Sequence, residues 1–325
     1  TVPGRSTTIA GVEAAPAPWL VIVNPAAGAG RGAGRWPALA ALLQRQGVAF
    51  EAVLTQAAGH AAEVAARAAR EGRAVVVAAG GDGTISEVVN GLLSAQVAAR
   101  SLPALGVLPL GTAQDFARSL GLPLAPEAAV ASLVRARPAP IDVGRIRLAD
   151  GAVRYFVTYA GTGFDALVVA RAQAWAPRWR GAWPYIIGFF HVLRGYANRR
   201  FSVWLDGKLL VSRRRINMVI VANGGNYAGL LRIAPSASMR DGWLDVVVVG
   251  DVGRLEFLVA LPLALIGRHL AHPKVAAFRA QHVMVAARER LPIQRDGEVA
   301  GRLPASFDVL PGALPVLLPA TESAG

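Results

Sequence analysis

Apolar positions in the first 138 residues alternate between two patterns. Short apolar runs at 19–23, 48–54, 74–79 and 104–108 have the length and residue types of strands. Each is followed by apolar positions at helical spacing, at 36–46, 61–71, 85–94, and then at 113–120 and 126–135. Strands separated by helices of this length predict a parallel, doubly wound α/β sheet. Beyond residue 138 the pattern becomes strand-rich. Runs at 141–148 and 154–159 flank Asp150-Gly151, and runs at 201–205 and 209–212 flank Asp206-Gly207, two hairpin signals. Further strands are expected at 216–222, 244–249, 283–287 and 305–310, with helical patches at 185–196 and 255–269. The second half is therefore expected to be a β-sandwich with helical insertions. The Pro-rich stretch 137–140 sets the boundary, so the domains are read as 18–138 and 139–310.

Three glycine-rich turns lie at strand carboxyl ends, where ligands bind on sheets of this kind. The strongest is 78–92, AAGGDGTISEVVNGL. Gly80, Gly81 and Gly83 let backbone amides approach a ligand, and the helix N-terminus behind them favours anions. Thr84 and Glu87 fit a capping box at that terminus. Asp82 stands where it could reach a magnesium ion shielding phosphate charge. Asn24-Pro25, with Gly28 and Gly30 after it, opens a second loop, which alone reads equally as an ordinary turn. In the third, Gly111 precedes Thr112, a candidate cap, and Asp115 falls at the third helical position. Asp115 either caps its own helix or orders water and metal between Asp82 and the phosphates.

Composition narrows the chemistry. The chain has 325 residues, no cysteine and a formal charge of +13. Thiolate metal sites, disulfides and cysteine nucleophiles are excluded. Residues 139–325 hold 23 basic and 13 acidic side chains, against 11 and 8 before them. The second half should meet something anionic. The only lysines, Lys208 and Lys274, follow no glycine-rich loop, so there is no P-loop, and the G-x-S-x-G elbow is also missing. The longest apolar run, at 255–266, is far short of a membrane span. No signal peptide is expected, and residues 1–17 read as a loose leader.

Three patterns in the second half carry candidate chemistry. Asp296-Gly297-Glu298 offers a carboxylate to accept a proton in phosphoryl transfer, or is a plain surface hairpin. Asp241-Gly242 reads as a turn or a cation site, and His269 with His272 is a poor zinc pattern because Pro273 follows. Trp175, Trp179 and Trp183 interleave with Arg171, Arg178 and Arg180, ahead of Tyr185, Ile186, Phe189 and Phe190. That mixture suits an anionic membrane interface, with a core helix and solvated arginine rim as the plainer reading. No nucleic-acid fold signature accompanies the charge.

Together these motifs resemble the diacylglycerol kinase catalytic-domain family of bacterial lipid kinases, relatives of sphingosine and ceramide kinases. The resemblance runs from residue 21 to 319 through GGDGT at 80–84, EVVNG at 87–91, LPLGTAQDFAR at 108–118, GTGFDA at 161–166, NGGNYAGLLRIAP at 223–235, DGWLDV at 241–246, DGE at 296–298 and PGALPVLLP at 311–319. GGDGT alone is shared with NAD kinases; the ordered set is more specific.

The resemblance implies an α/β nucleotide domain of the NAD kinase/diacylglycerol kinase type, a β-sandwich domain and a return of 311–320 to the first. It implies ATP and Mg2+ held by Asn24, Pro25, Gly28, Gly30, Gly80, Gly81, Asp82, Gly83, Thr84, Glu87, Gly111, Thr112 and Asp115. Asp82 and Asp115 join the metal network, Asp241 resembles a structural cation site, and Asp296 is the general base with Glu298 assisting. Ala27, Ser86, Gln114 and Arg240 depart from the usual serine, asparagine, asparagine and acidic residue. The expected activity is Mg2+-dependent transfer of the ATP γ-phosphate to a hydroxyl of a diacylglycerol-like lipid. The protein would be cytoplasmic and peripherally attached to an anionic membrane, with no nucleic-acid partner and a homodimer left open. The alternatives are a kinase of a soluble substrate such as NAD and a nucleotide-binding regulatory or membrane-binding protein with weak or no catalysis.

Overall fold

The computed structural model describes residues 17–95, 97–98, 102–175 and 183–319. Its first half runs β1 (Trp19–Val23), a helical turn α1 (Ala27–Gly30), α2 (Gly32–Arg45), β2 (Phe50–Leu54), α3 (His60–Arg70), β3 (Val75–Gly80), α4 (Asp82–Ser94), β4 (Ala104–Pro109), α5 (Asp115–Ser119) and α6 (Pro126–Arg135). The four strands are parallel in the order β2-β1-β3-β4. Successive side chains of a strand face opposite sides, so both sides of β1 and β3 can be apolar only if both are covered. Leu20, Ile22, Val76 and Ala78 pack under α3 and α4. Val21, Val23, Val77 and Ala79 pack with Leu39 and Leu43 of α2 and Val130 and Leu133 of α6. This doubly wound arrangement puts the β1, β3 and β4 exits on one edge.

The second half runs β5 (Arg137–Leu148), β6 (Val153–Phe156), β7 (Tyr159–Gly163), α7 (Phe164–Trp175), α8 (Trp183–Gly195), β8 (Arg199–Leu205), β9 (Lys208–Ile216), β10 (Met218–Ala222), β11 (Leu244–Val249), α9 (Arg254–Leu265), β12 (Val275–Ala280), β13 (His282–Ala287), β14 (Pro292–Arg295), β15 (Glu298–Arg302) and β16 (Ala305–Leu318). One sheet extends the first through β4-β16-β13-β8-β9, with β5 on β16 and β6 on β5. The other is antiparallel, in the order β12-β11-β10-β7-β14-β15. Between them lie Phe201, Val203, Val283, Val285 and Phe307 from one sheet and Val219, Val221, Val246, Val248 and Ile293 from the other. The opposite face of β10 and β11, with Ile220, Val247 and Val249, carries Phe164 of α7, Val192 of α8 and Phe257 of α9. The second half is thus a β-sandwich with a helical layer outside it.

The Pro-rich stretch expected as a boundary is the start of β5. Arg137 to Ile141 pair with Leu318 to Leu314, and Val143 to Leu148 pair with Leu310 to Ala305. Val316 also pairs in parallel with Leu105 of β4. Two long strands therefore run through both halves and tie them together.

Candidate active site

The three glycine-rich exits meet by backbone contact. Asn24 N–H donates to Ala79 O (2.9 Å) and Leu110 N–H to Gly80 O (2.8 Å). The closeness requires glycine: a Cβ on Gly111 would lie 2.5 Å from the Gly81 Cα. Gly28 sits at φ +62°, and a Cβ there would lie 2.5 Å from Leu110 O.

The caps differ from those expected. Helix α4 begins at Asp82, with Gly81 before it and no side-chain cap. Thr84 is therefore inside the first turn, buried, and its Oγ1 accepts from Asn24 Nδ2 (2.9 Å). Glu87 points to the neighbouring helix, where it accepts from Gly59 N–H (2.9 Å) and Ala61 N–H (3.2 Å) at the start of α3. No capping box joins Thr84 and Glu87. Helix α5 likewise starts at Asp115, after Gln114 in the left-handed region, so Thr112 is exposed and caps nothing. Its cap comes from outside: Asp82 accepts from Gln114 N–H (2.8 Å) and Phe116 N–H (3.1 Å). Asp115, 3 % exposed, accepts from Gly229 N–H (2.7 Å) in the sandwich domain.

Burial pushes Asp82 up, and burial followed by the charge of Asp82 pushes Asp115 up to about 6. The charge of Asp82 thus acts on Asp115, and among the described residues neither pairs with a basic side chain. No group of three or more His, Asp or Glu side chains among the described residues forms a metal cage. Mg2+ does not need one, since it takes one or two carboxylates and keeps waters and phosphate oxygens. Asp82 and Asp115 fit such an ion by charge and donor type. Arg31, whose Nε donates to Gly28 O (2.8 Å), adds a cation beside the first loop. An arginine within a glycine-rich loop was a legible sign, and sequence reasoning passed over it.

The Asp296-Gly297 turn joins β14 to β15 and lies against α4, so it is a hairpin turn that also belongs to the site. Asp296 is buried, and its Oδ1 accepts from Thr158 N–H (2.9 Å) and Tyr159 N–H (3.2 Å). Its Oδ2 accepts from Val157 N–H (3.0 Å) and Ser86 Oγ (3.3 Å). Burial pushes its pKa up, while the amides of Thr158 and Val157 and the Arg295 guanidinium pull it back. Arg295 donates to Ser86 Oγ (2.9 Å) and lies 3.9 Å from Glu298. Glu298 reaches the α4 N-terminus: a Cβ on Gly83 would lie 3.2 Å from its Oε1. Burial raises its pKa, Arg295 opposes this, and the charges of Glu87 and Asp296 add to it.

Behind this turn lies a polar network that sequence reasoning missed. Asp165, 6 % exposed, accepts from Gln294 Nε2 (3.0 Å) and Tyr227 Oη (3.3 Å). Gln294 Oε1 accepts from Gly297 N–H (3.2 Å), and Tyr227 stacks on Tyr159 with centroids 4.2 Å apart. These partners are too far apart in sequence for any local pattern to show them.

Two expectations meet different surroundings. Asp241 pairs with Arg279, whose guanidinium lies 5.5 Å from the Trp243 ring centroid and 3.9 Å from Asp245. A guanidinium thus stands beside Asp241, the residue expected at a structural cation site. His269 is a buried core histidine bonded to Ile233 O (3.0 Å), and His272 turns to Glu256 (3.3 Å). Trp179, Arg178 and Arg180 lie outside the described residues.

The glycine exits of β1, β3 and β4, the carboxyls of Asp82 and Asp115 and the Glu298 side chain beside the α4 N-terminus have the donor and acceptor chemistry that a nucleotide-dependent phosphotransferase needs. Residues 18–146 match the diacylglycerol kinase catalytic domain and residues 158–318 the YegS C-terminal NAD kinase beta sandwich-like domain. The chain is 30% identical over 287 residues to a diacylglycerol kinase of Staphylococcus carnosus, covering 88% of this chain and 90% of that one. It is 31% identical over 266 residues to one of Bacillus subtilis, covering 82% and 84%. A crystal structure described as a diacylglycerol kinase from Bacillus anthracis shares the fold, with TM-score 0.69, 22% identity and coverage of 93% and 97%. The chain belongs to the diacylglycerol kinase family: it is a lipid kinase that uses ATP and an alcohol acceptor.

Proposed function

We propose that the protein transfers the γ-phosphate of ATP to the free hydroxyl of a diacylglycerol-like lipid, with Mg2+, and that Glu298 takes the hydroxyl proton. The observation that carries the second point is the saturation of Asp296. A carboxylate offers about four acceptor sites, and Asp296 uses them on Val157, Thr158, Tyr159 and Ser86. Glu298 has no hydrogen bond among the described residues other than its loose approach to Arg295, and it stands at the α4 N-terminus. The roles expected for the two residues are therefore exchanged.

The loops after β1, β3 and β4 present amides to the triphosphate, with Arg31 adding positive charge. Asp82 and Asp115 would hold Mg2+, which neutralises charge on the phosphates when bound. The acceptor oxygen forms its bond to the γ-phosphorus as the bond to the β–γ bridging oxygen breaks, ADP leaves, and the proton passes to Glu298. Burial raises its pKa, the direction that makes it a better proton acceptor. Transfer of label from γ-labelled ATP to diacylglycerol, compared between wild type and Glu298→Gln, tests this. A folded variant with wild-type kcat would remove Glu298 from the role. Labelling of a soluble acceptor but no lipid would replace the acceptor class.

A further inference from the structure

Helix α9 is apolar on all sides. Phe257 and Ala264 face inward, while Leu255 (80 %), Val259 (75 %), Leu263 (37 %) and Ile266 (62 %), the last just beyond the helix, form a bare outer stripe. Its one acid, Glu256, is spent on Gly253 N–H (2.9 Å) and Lys274 Nζ (2.7 Å). A helix apolar all round belongs inside a core or a membrane, and half of this one is covered by neither. Helix α8 repeats the pattern: Gly188 and Val192 are buried, whereas Trp183, Ile186 and Phe190 are exposed at helical spacing. The two helices adjoin, since Phe189 stacks on Phe257 (6.1 Å) and Phe164 contacts both (5.4 and 4.8 Å). Their stripes lie on neighbouring helices over the outer face of the sandwich.

The face is continuous with the active site. Tyr185 of α8 donates to Gly297 O (3.3 Å), within the turn that carries Glu298. Arg171 of α7, Arg194 of α8, Arg254 of α9 and Arg268 just beyond α9 are all exposed, and none pairs with an acid among the described residues. A second copy placed face to face would set these arginines against each other. Anionic headgroups complement them. With 12 residues α9 is about 18 Å long, too short for a hydrocarbon layer of about 30 Å, and no helix among the described residues is long and apolar enough to cross one.

Resting on the lipid-kinase reading, we propose that α8 and α9 form one in-plane docking face that beds into an anionic bilayer and brings the Glu298 turn to the lipid surface. Trp183 and Tyr185 suit the interfacial depth, and the α9 stripe enters among the acyl chains.

The test uses the full chain and the double variant L255D/V259D, whose positions are exposed, so folding is checked simply by its melting curve. Binding to vesicles of equal phosphatidylglycerol and phosphatidylcholine is measured by co-sedimentation. Turnover is measured separately on dispersed, short-chain dihexanoylglycerol, which needs no docking. The expected result is wild-type binding that falls at least tenfold in the variant, with dihexanoylglycerol turnover within twofold. Equal binding by both proteins overturns the proposal. So does wild type that ignores vesicles, or a wild-type dimer that the variant dissolves with no change in vesicle binding. Vesicle binding without turnover on any diacylglycerol would support the docking face while defeating the proposed acceptor.

Discussion

Asp296 and Glu298 sit two positions apart and meet different surroundings. Three amides and a hydroxyl fill Asp296, so it fixes the 157–159 segment. Glu298→Gln should cut kcat by about 10²–10⁴-fold and leave the melting temperature nearly unchanged. Asp296→Asn turns an NH2 against backbone donors and should cost about 1–3 kcal/mol in urea unfolding. Full stability with a lost kcat in Asp296→Asn would return the proton to Asp296. Because the Glu298 pKa is raised, wild-type activity should fall on its acid limb at a pH above the usual glutamate value. Asp165 supplies a stability counterpart. Burial raises it from 3.8 to about 6, against hydrogen bonds from Gln294 and Tyr227. Its charged form is therefore disfavoured in the folded state relative to the unfolded chain. The penalty, about 3 kcal/mol, is fully present above pH ~6 and is relieved as pH falls towards ~4. Asp165→Asn should be more stable than wild type at pH 8, with the gap closing by about pH 4. A gap independent of pH would contradict this. DGE was legible as chemistry, yet its division of labour was not, because the partners of Asp296 lie 137 to 210 positions away.

Helix starts show what pattern alone misses at the next scale. The periodic run in 85–94 was readable, and so was its strand before it. That the helix opens at Asp82 was not, because Asp82 is engaged by the amides of α5 and Thr84 by Asn24. Glu87 then falls one turn further round, onto α3. Glu87→Ala should cost about 1–2 kcal/mol by urea unfolding, with KM for ATP unchanged. A raised KM at unchanged stability would put Glu87 back among the nucleotide contacts. β12 (Val275–Ala280) escaped the sequence reading because it is half exposed and its alanines give no alternation. The Asp150-Gly151 and Asp206-Gly207 hairpins, by contrast, were legible from local turn chemistry alone.

The whole molecule joins at a few cross-domain contacts. Asp115 holds Gly229, Ser86 meets Asp296, and Asn90 pairs through both side-chain ends with the Tyr155 backbone. Together with β5 and β16, these bring the glycine-rich loops and the DGE turn together. Part of the excess positive charge of the second half, readable from composition, is exposed in Arg171, Arg194, Arg254 and Arg268. What composition could not show is that this face reaches the Asp296–Glu298 turn through Tyr185. The most direct measurement is phosphate transfer from γ-labelled ATP to diacylglycerol in mixed micelles, with and without Mg2+, for wild type and Glu298→Gln. Wild type with Mg2+ should give a labelled lipid, and at least a hundredfold less should form without the metal or with the variant. ATP-binding wild-type protein that labels no diacylglycerol, or a folded variant that labels it equally, would contradict this.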